Sequence, residues 1–249
     1  MMSCQRIVFG FLVILVCVAS TTTAAATPTD AGTATTAAGT GGEADLLSRR
    51  PNPRLRQGVA PRIVGGTEVS PAYKYPFMAV LNPILYDGTS LLCGGSLVAP
   101  NWVLTAAHCS VNADPSQSAV GLHRNDISET SQDVNPIDVG VKNIIVNPHY
   151  DASAVNYDYA MWELDTSVDL QAISLDDGSY TDGETCTVAG WGDTSEGGTP
   201  SNVLMQVQVQ VWNFPSCENL YGSVFDQTTQ MCAGVPQGGM DACQGDSDK

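Results

Sequence analysis

The stretch VLMQVQVQVW, Val203 to Trp212, decides the fold class. Met205, Val207, Val209 and Val211 alternate with glutamines along it. A period of two puts the apolar side chains on one face and the glutamines on the other, as in a strand with one buried face. Helical periodicity is not found in any comparable stretch. The sequence therefore predicts an all-β domain of barrel or sandwich type.

Shorter apolar runs separated by turn residues support the same fold class. They are FMAVL (Phe77 to Leu81), GSLVA (Gly95 to Ala99), NIIV (Asn143 to Val146) and YAMWEL (Tyr159 to Leu164). The 249 residues suffice for one sizeable domain or two small lobes, and 24 glycines and 14 prolines favour many short strands and turns.

The N-terminus has the order of a secretory signal peptide. Arg6 precedes the apolar run Ile7 to Ala19, and small residues follow at Ala24 to Ala26. This order predicts a signal peptide at residues 1–26, removed from a secreted, extracellular protein. The run is short for crossing a bilayer, so a signal anchor is the less favoured alternative.

Residues 27–62 predict a propeptide without a folded core. Thr27 to Gly42 is rich in Thr, Ala and Gly, and Ser48 to Arg62 is basic and contains prolines. Too little apolar surface is present to fold, and an exposed, arginine-rich segment suits a processing protease. The folded domain is therefore expected at residues 63–249.

The net charge is −16, from 10 Lys and Arg against 26 Asp and Glu, and the acidic residues are concentrated after residue 62. An acidic body argues against nucleic acid and anionic membranes as partners, and it attracts cationic substrates. Adaptation to salt or to an acidic habitat is the simpler explanation of the charge.

Seven short motifs follow one another along the domain. They are RIVGG (Arg62 to Gly66), CGGSL (Cys93 to Leu97), LTAAHC (Leu104 to Cys109), YDYAM (Tyr157 to Met161), GWG (Gly190 to Gly192), MCAG (Met231 to Gly234) and DACQGDS (Asp241 to Ser247). In this order they resemble the trypsin-like serine endopeptidases of chymotrypsin fold, over Ile63 to Ser247. The resemblance implies two antiparallel β-barrels packed face to face, with the second barrel incomplete.

The resemblance assigns a catalytic trio. A serine hydroxyl is a poor nucleophile at neutral pH and needs a neighbouring base. Ser247 is expected to attack the peptide carbonyl, His108 to carry the proton, and Asp158 to orient the imidazole. Asp158 lies between apolar and aromatic residues, so we expect it to be buried and partnered by His108. His123 and His149 lack such a context and are expected at the surface.

The resemblance also assigns groups around the nucleophile. The backbone N–H groups of Gly245 and Ser247 are expected to form the oxyanion hole. Asp241 resembles the acid at the floor of the primary specificity pocket, where a desolvated carboxylate selects a basic side chain. Cleavage after Arg or Lys is therefore expected.

The junction Arg62–Ile63 resembles the activation site of a zymogen. Cutting there frees the Ile63 ammonium, which is expected to pair with Asp246 and order the loop that holds Ser247. The pair is expected to act as a switch, because desolvation opposes any large net stabilisation. The alternative is that Arg62 merely ends a linker.

The cysteines are assigned by the same resemblance. Cys93 is expected to pair with Cys109, and Cys217 with Cys232. Cys186 and Cys243 resemble positions whose partners lie beyond residue 249, so both are expected to be unpaired. A bond between these two is the alternative, which the resemblance does not support.

The family pattern runs on beyond Ser247, whereas this sequence ends at Lys249. We therefore expect a protease whose sequence here lacks its C-terminal part, with little activity from the 249 residues alone. A non-catalytic secreted binding or decoy homologue is the alternative, and sequencing the transcript past the Lys249 codon separates the two. A metal or redox protein is a third hypothesis, which no CxxC or paired-histidine spacing supports.

The expected partners are protein or peptide substrates with basic residues, together with protein inhibitors. We expect no cofactor, no metal, no nucleic acid, no membrane and a monomeric protein.

Overall fold

The computed structural model describes residues 13–16, 66–128, 135–176, 181–192 and 200–235. All of them belong to one compact unit. Several residues singled out by the sequence lie outside the described residues: Arg62, Ile63, Asp241, Cys243, Gly245, Asp246 and Ser247.

Short strands dominate the described chain. In order they are β1 Val13–Val16, β2 Thr67–Glu68, β3 Met78–Asn82, β4 Cys93–Ala99, β5 Trp102–Thr105, β6 Ala119–Leu122, β7 Ile137–Val146, β8 Ala160–Leu164, β9 Thr185–Gly190, β10 Met205–Trp212 and β11 Cys232–Gly234. A helix, α1, spans Phe214–Tyr221, and a 3-10 helix follows at Gly222–Val224.

Six strands close into a barrel in the order β3-β4-β5-β8-β7-β6. Every neighbouring pair of strands around the barrel is antiparallel. Alternate residues face the interior, so Trp162 and Leu164 of β8 are buried beside Val103 of β5 and Leu81 of β3. Apolar side chains therefore fill this barrel as a packed core.

The second β unit is an open sheet in the order β1-β9-β10-β11, with β2 also pairing with β10. Strand β10 is the stretch in which apolar residues alternate with glutamines. Its Met205, Val207, Val209 and Val211 are buried, whereas Gln208 and Gln210 are exposed. Among the described residues, one closed barrel and one antiparallel sheet confirm the predicted all-β class.

Strand β1 comes from the apolar run that the sequence assigns to a signal peptide. It pairs antiparallel with β9, from Val13 opposite Gly190 to Val16 opposite Thr187. An uncovered strand edge exposes unpaired N–H and C=O groups, which an added apolar strand satisfies. Removal of residues 1–26 on secretion stays a prediction.

A third apolar cluster joins residues of the barrel to residues of the open sheet. Met78 of β3 packs in it with Ala189 of β9, and Tyr75, Trp191 and Leu204 complete its centre. The indole N–H of Trp191 donates to the carbonyl of Asn125 at 3.2 Å. The barrel and the open sheet therefore share a buried contact made of large side chains.

Helix α1 is a difference from the sequence prediction, which found no helical pattern. Asn213 caps its start, because the Asn213 side chain accepts a hydrogen bond from the Ser216 N–H at 2.9 Å. A proline also lies in the first turn. The helix is too short for its apolar residues to show a period. Among the residues described, no helix has the length and apolarity needed to span a membrane.

Two disulfides have the pairings that the resemblance implies. One joins Cys93 to Cys109 with a Cα–Cα distance of 6.3 Å, and the other joins Cys217 to Cys232 at 6.0 Å. The expectation that Cys186 is unpaired is wrong, because Cys186 is disulfide-bonded. The resemblance places its partner beyond residue 249, whereas Cys4, Cys17 and Cys243 are also present in the chain. The sulfur bonded to Cys186 lies outside the described residues.

Candidate active site

His108 lies in the turn that follows β5. Cys109, its neighbour, is bonded to Cys93 at the start of β4, so the turn is covalently tied to the barrel. The Ser110 hydroxyl donates to the carbonyl of Ala106 at 2.8 Å and closes the turn from the other side. A disulfide and a local hydrogen bond thus restrict the backbone on both sides of the imidazole.

Asp158 reaches the same edge of the barrel from another strand. Strands β5 and β8 are antiparallel neighbours, and Thr105 at the end of β5 lies opposite Ala160 at the start of β8. His108 comes three residues after Thr105, and Asp158 comes two residues before Ala160. The strand register therefore brings together two side chains that the sequence separates by 50 residues.

His108 and Asp158 are joined by two hydrogen bonds, one from the His108 backbone and one from its ring. Asp158 Oδ1 accepts from the His108 backbone N–H at 2.9 Å, and Asp158 Oδ2 lies 2.7 Å from His108 Nδ1. The Asp158 side chain is 3% exposed and that of His108 is 27% exposed. The expectation of a buried Asp158 partnered by His108 is thus met in the geometry.

This arrangement fixes what the imidazole can do. With Nδ1–H donating to the carboxylate, a neutral ring keeps the lone pair on Nε2. Nε2 lies 3.4 Å from Cys109 Sγ, an atom already in a disulfide. The ring can therefore accept a proton at Nε2 while Asp158 stabilises the resulting imidazolium.

Tyr150 is a neighbour of this pair that sequence reasoning missed. Its pKa is raised above the ordinary value, mainly because the phenol is partly buried, and further by the negative charges of Asp158 and Asp151. A tyrosine that stays neutral adds no second negative charge beside Asp158. The signal in the sequence was weak, since NPHY before Asp151 resembles any polar turn.

Trp162 and Ser110 were also missed as supports of the site. The Trp162 Nε1–H donates to Ser110 Oγ at 2.9 Å, and both residues are buried. Ser110 follows directly after LTAAHC and Trp162 lies in YAMWEL. Both residues lie in or beside the motifs, but sequence alone gives no pairing between them.

The other two histidines have ring contacts with tyrosines. His149 is exposed, as expected, and its ring tilts against that of Tyr157 at 5.7 Å. His123 is half-buried rather than fully at the surface, because its ring stacks on Tyr73 with centroids 4.5 Å apart. Within the described ranges, no group of three or more His, Cys, Asp or Glu side chains could hold a metal ion.

A cavity of about 830 Å³ lies beside the loop that leads to Asp158. Val155 and Asn156 line it on the barrel side, and Phe214, Tyr221 and Phe225 line it on the side of the open sheet. Its lining mixes aromatic rings with amides and carboxylates.

Comparison with known proteins agrees with the geometry. The family model described as Trypsin matches residues 63–247. The chain belongs to the trypsin family. At the level of this family, it is a serine protease and a hydrolase acting on proteins.

Two relatives illustrate the range of the trypsin family. A protein named Trypsin from Saccharopolyspora erythraea is 37% identical over 188 residues, which are 74% of this chain and 79% of that protein. Serine protease 56 from Mus musculus is 34% identical over 221 residues, which are 82% of this chain. The matched part spans 35% of the mouse protein, so this chain resembles one portion of it.

A solved structure supports the fold of this trypsin-family chain. The structure titled "Structure of GrC" has a TM-score of 0.62 and 25% sequence identity. The match covers 70% of this chain and 76% of that chain. The paired His108 and Asp158 therefore lie in a chain whose family and overall fold agree with the sequence motifs.

Proposed function

We propose that this protein is a secreted serine endopeptidase that hydrolyses peptide bonds after Arg or Lys and is made as a zymogen. The observation that carries the proposal is the pair of hydrogen bonds between His108 and Asp158, at 2.9 and 2.7 Å. A buried carboxylate holding an imidazole in one tautomer is the arrangement that activates a serine nucleophile.

In the proposed reaction, Ser247 Oγ attacks the substrate carbonyl while its proton passes to His108 Nε2. Asp158 holds the ring by Nδ1 and stabilises the imidazolium without taking the proton. The imidazolium then gives its proton to the leaving amine as the C–N bond breaks, which leaves an acyl-enzyme. Water, deprotonated by His108, attacks the ester carbonyl, and His108 returns this proton to Ser247 Oγ as the ester C–O bond breaks and the carboxylic acid product leaves.

Negative charge develops on the carbonyl oxygen in both steps. The backbone N–H groups of Gly245 and Ser247 are proposed to donate to this oxyanion. One such donor stabilises the transition state by about 3 kcal/mol. A glycine at position 245 allows the backbone to turn sharply and to approach the substrate.

Specificity is proposed to depend on Asp241. A carboxylate in a desolvated pocket binds a guanidinium or ammonium group through charge-assisted hydrogen bonds, and it excludes acidic side chains. The net charge of −16 favours the approach of basic substrates. Protein inhibitors with an exposed Arg or Lys are proposed to bind in the same way, and the protein is proposed to act as a monomer.

Activation is proposed to occur by cleavage between Arg62 and Ile63. Residues 1–26 would act as the signal peptide and 27–62 as the propeptide, and the new Ile63 ammonium would pair with Asp246. Two disulfides between described residues are consistent with an oxidising compartment outside the cytosol. The activated enzyme is proposed to cleave after basic residues, so it could also cleave after Arg62 in another copy of the protein.

The test expresses the protein from its complete coding sequence, cuts it after Arg62 and measures hydrolysis of arginyl, lysyl and phenylalanyl esters. Arginyl and lysyl esters should be hydrolysed, phenylalanyl esters poorly, and Ser247→Ala should abolish the reaction. Asp241→Ser should remove the basic preference while leaving some esterase activity. Equal rates for Ser247→Ala and the unmodified protein would reject the proposed enzyme and favour a binding homologue.

A further inference from the structure

Asn156 lies two residues before Asp158, in the loop between β7 and β8. Its amide crosses from the barrel to the turn that precedes β11. Asn156 Nδ2 donates to Asp226 Oδ2 at 3.3 Å. Asn156 Oδ1 accepts from Thr229 Oγ1 at 3.2 Å and from Gln230 Nε2 at 3.2 Å. We name these four residues, Asn156, Asp226, Thr229 and Gln230, the Asn156 clamp.

The 226–230 turn, which contains three of the four clamp residues, is stabilised by hydrogen bonds of its own. Asp226 Oδ1 accepts from the Thr228 N–H at 2.9 Å and from its hydroxyl at 2.6 Å. Gln230 Oε1 accepts from the Asp226 N–H at 3.0 Å, and the Gln230 N–H donates to the Asp226 carbonyl at 2.9 Å. The disulfide at Cys232 ties the end of the turn to helix α1. The Asn156 side chain therefore bonds to a turn whose conformation is restricted by hydrogen bonds and a disulfide.

The loop around Asn156, between β7 and β8, has an unfavourable backbone conformation. Val155 and Tyr157, on either side of Asn156, have φ of 53° and 54°. This left-handed region is costly for a β-branched or bulky residue. Strained residues of this kind persist where surrounding contacts hold them, and they concentrate at functional sites. The Asn156 side chain provides such contacts at the centre of the strained segment.

The strain lies directly beside the carboxylate. Asp158 follows Tyr157, and the Tyr159 N–H donates to the Tyr157 carbonyl at 2.8 Å, which makes a tight turn around Asp158. A change of backbone at Val155 to Tyr157 would therefore move the Asp158 carboxyl group relative to His108. Register with β5 fixes Ala160, but it does not fix the residues of the loop.

We propose that Asn156 is a positioning residue, which holds the strained loop against the 226–230 turn so that Asp158 keeps both hydrogen bonds to His108. The kinetic part of this inference rests on the proposed function. The structural part, the effect on the His108–Asp158 hydrogen bonds, does not require activity.

The first test observes the His108 ring directly. The chain contains three histidines, so ¹⁵N-histidine labelling gives few signals, and His108→Ala identifies the Nδ1–H proton. In the unmodified protein this proton should appear far downfield and exchange slowly, because its hydrogen bond is short. Asn156→Ala should move it upfield and speed its exchange. Asn82→Ala is the matched control, since the Asn82 amide also accepts a side-chain hydrogen bond, from Ser90 at 3.0 Å, but within the barrel region.

The second test exchanges the two groups of the clamp. Asn156→Asp places a carboxylate against that of Asp226 and should loosen the loop. Adding Asp226→Asn restores one amide donor facing one carboxylate, while the amide oxygen introduced at position 226 still accepts from Thr228. The double variant should recover the downfield proton. This pair decides the proposal even if Asn156→Ala does not fold.

The kinetic readout uses the protein from its complete coding sequence, cut after Arg62, on an arginyl ester. Asn156→Ala and Asn156→Asp should lower kcat about 10- to 100-fold with little change in KM, because the reacting groups are displaced. The exchanged pair should regain most of kcat. The inference would be overturned if Asn156→Ala changed the downfield proton and kcat no more than Asn82→Ala does. It would also be overturned if the double variant folded but recovered neither the downfield proton nor kcat.

The two proposals fail in different ways. If the unmodified protein shows no hydrolysis that depends on Ser247, the proposed function is rejected. The downfield proton of His108 and its response to the exchanged pair still decide whether Asn156 positions Asp158.

Discussion

Trp162 Nε1 donates a hydrogen bond to Ser110 Oγ at 2.9 Å, and Ser110 Oγ in turn donates to the Ala106 carbonyl at 2.8 Å. The chain of bonds runs from the buried side of β8 to the turn that contains His108. Because Trp162 is fully buried, its indole N–H has no access to water if Ser110 is lost.

Ser110→Ala should therefore lower the free energy of unfolding by about 1–3 kcal/mol, the cost of leaving a buried donor unpaired. It should also lower kcat, because the His108 turn loosens. Ser118→Ala is the matched control, since Ser118 is buried, accepts from the Ile84 N–H and donates to the Asp114 carbonyl. Urea unfolding and ester hydrolysis measure both. Equal loss of kcat in the two variants would contradict a specific support of His108.

Asp158→Asn should lower kcat by about 10⁴-fold without preventing folding. The His108 backbone N–H can only donate, so it takes the oxygen of the new amide and turns the NH₂ group of that amide toward Nδ1. The ring must then carry its proton on Nε2, where it cannot accept one from Ser247. Kinetics on an arginyl ester measure the loss, and ¹⁵N-histidine spectra should show the changed tautomer. Loss of activity with an unchanged His108 tautomer would argue against this reason.

Tyr150 gives a prediction for alkaline pH. Its pKa is raised, mainly by burial and then by the charge of Asp158. The stability that this shift contributes is fully present below the ordinary tyrosine pKa of about 10 and is lost as the pH rises through the higher folded value. Tyr150→Phe should reduce the fall in stability at alkaline pH, and Asp158→Asn should lower the Tyr150 pKa. Ultraviolet titration of tyrosinate, compared with Tyr86→Phe at an exposed position, tests both. A tyrosinate titration unaltered by Asp158→Asn would contradict the charge effect.

Gly95→Ala should destabilise the barrel by about 1–3 kcal/mol. A methyl group there would lie 2.6 Å from Leu81 Cδ1 and 2.7 Å from Val103 Cγ1, which are packed core atoms. Gly140→Ala, also in a barrel strand, is the control. Its methyl group would meet the end of the Asp165 side chain, which is exposed and can rotate away. Thermal unfolding should separate the two variants, and equal melting temperatures would refute the packing argument.

Much of the fold was predictable because β10 alternates strictly between apolar residues and glutamines. The pairing of His108 with Asp158 was predictable because each lies in a motif and because a buried carboxylate needs a partner. Helix α1 was not predicted from its pattern, although Asn213 and the following proline are start signals.

The remaining features depend on contacts that local sequence does not encode. Asn156 and Asp226 are 70 residues apart, and neither lies in a pattern that indicates the other. The pairing of β1 with β9 was not predicted, because a short apolar run has the same composition in a leader and in a strand. The bond at Cys186 was missed because cysteine spacing does not determine connectivity.

The third apolar cluster has a consequence for cooperativity. Met78 belongs to the barrel and Ala189 to the open sheet, and Trp191 and Leu204 are fully buried between such residues. Melting either β unit alone would expose this shared surface to water, at a cost that the surviving unit could not recover. We therefore expect the two β units to denature in one all-or-none transition, with calorimetric and van't Hoff enthalpies that agree.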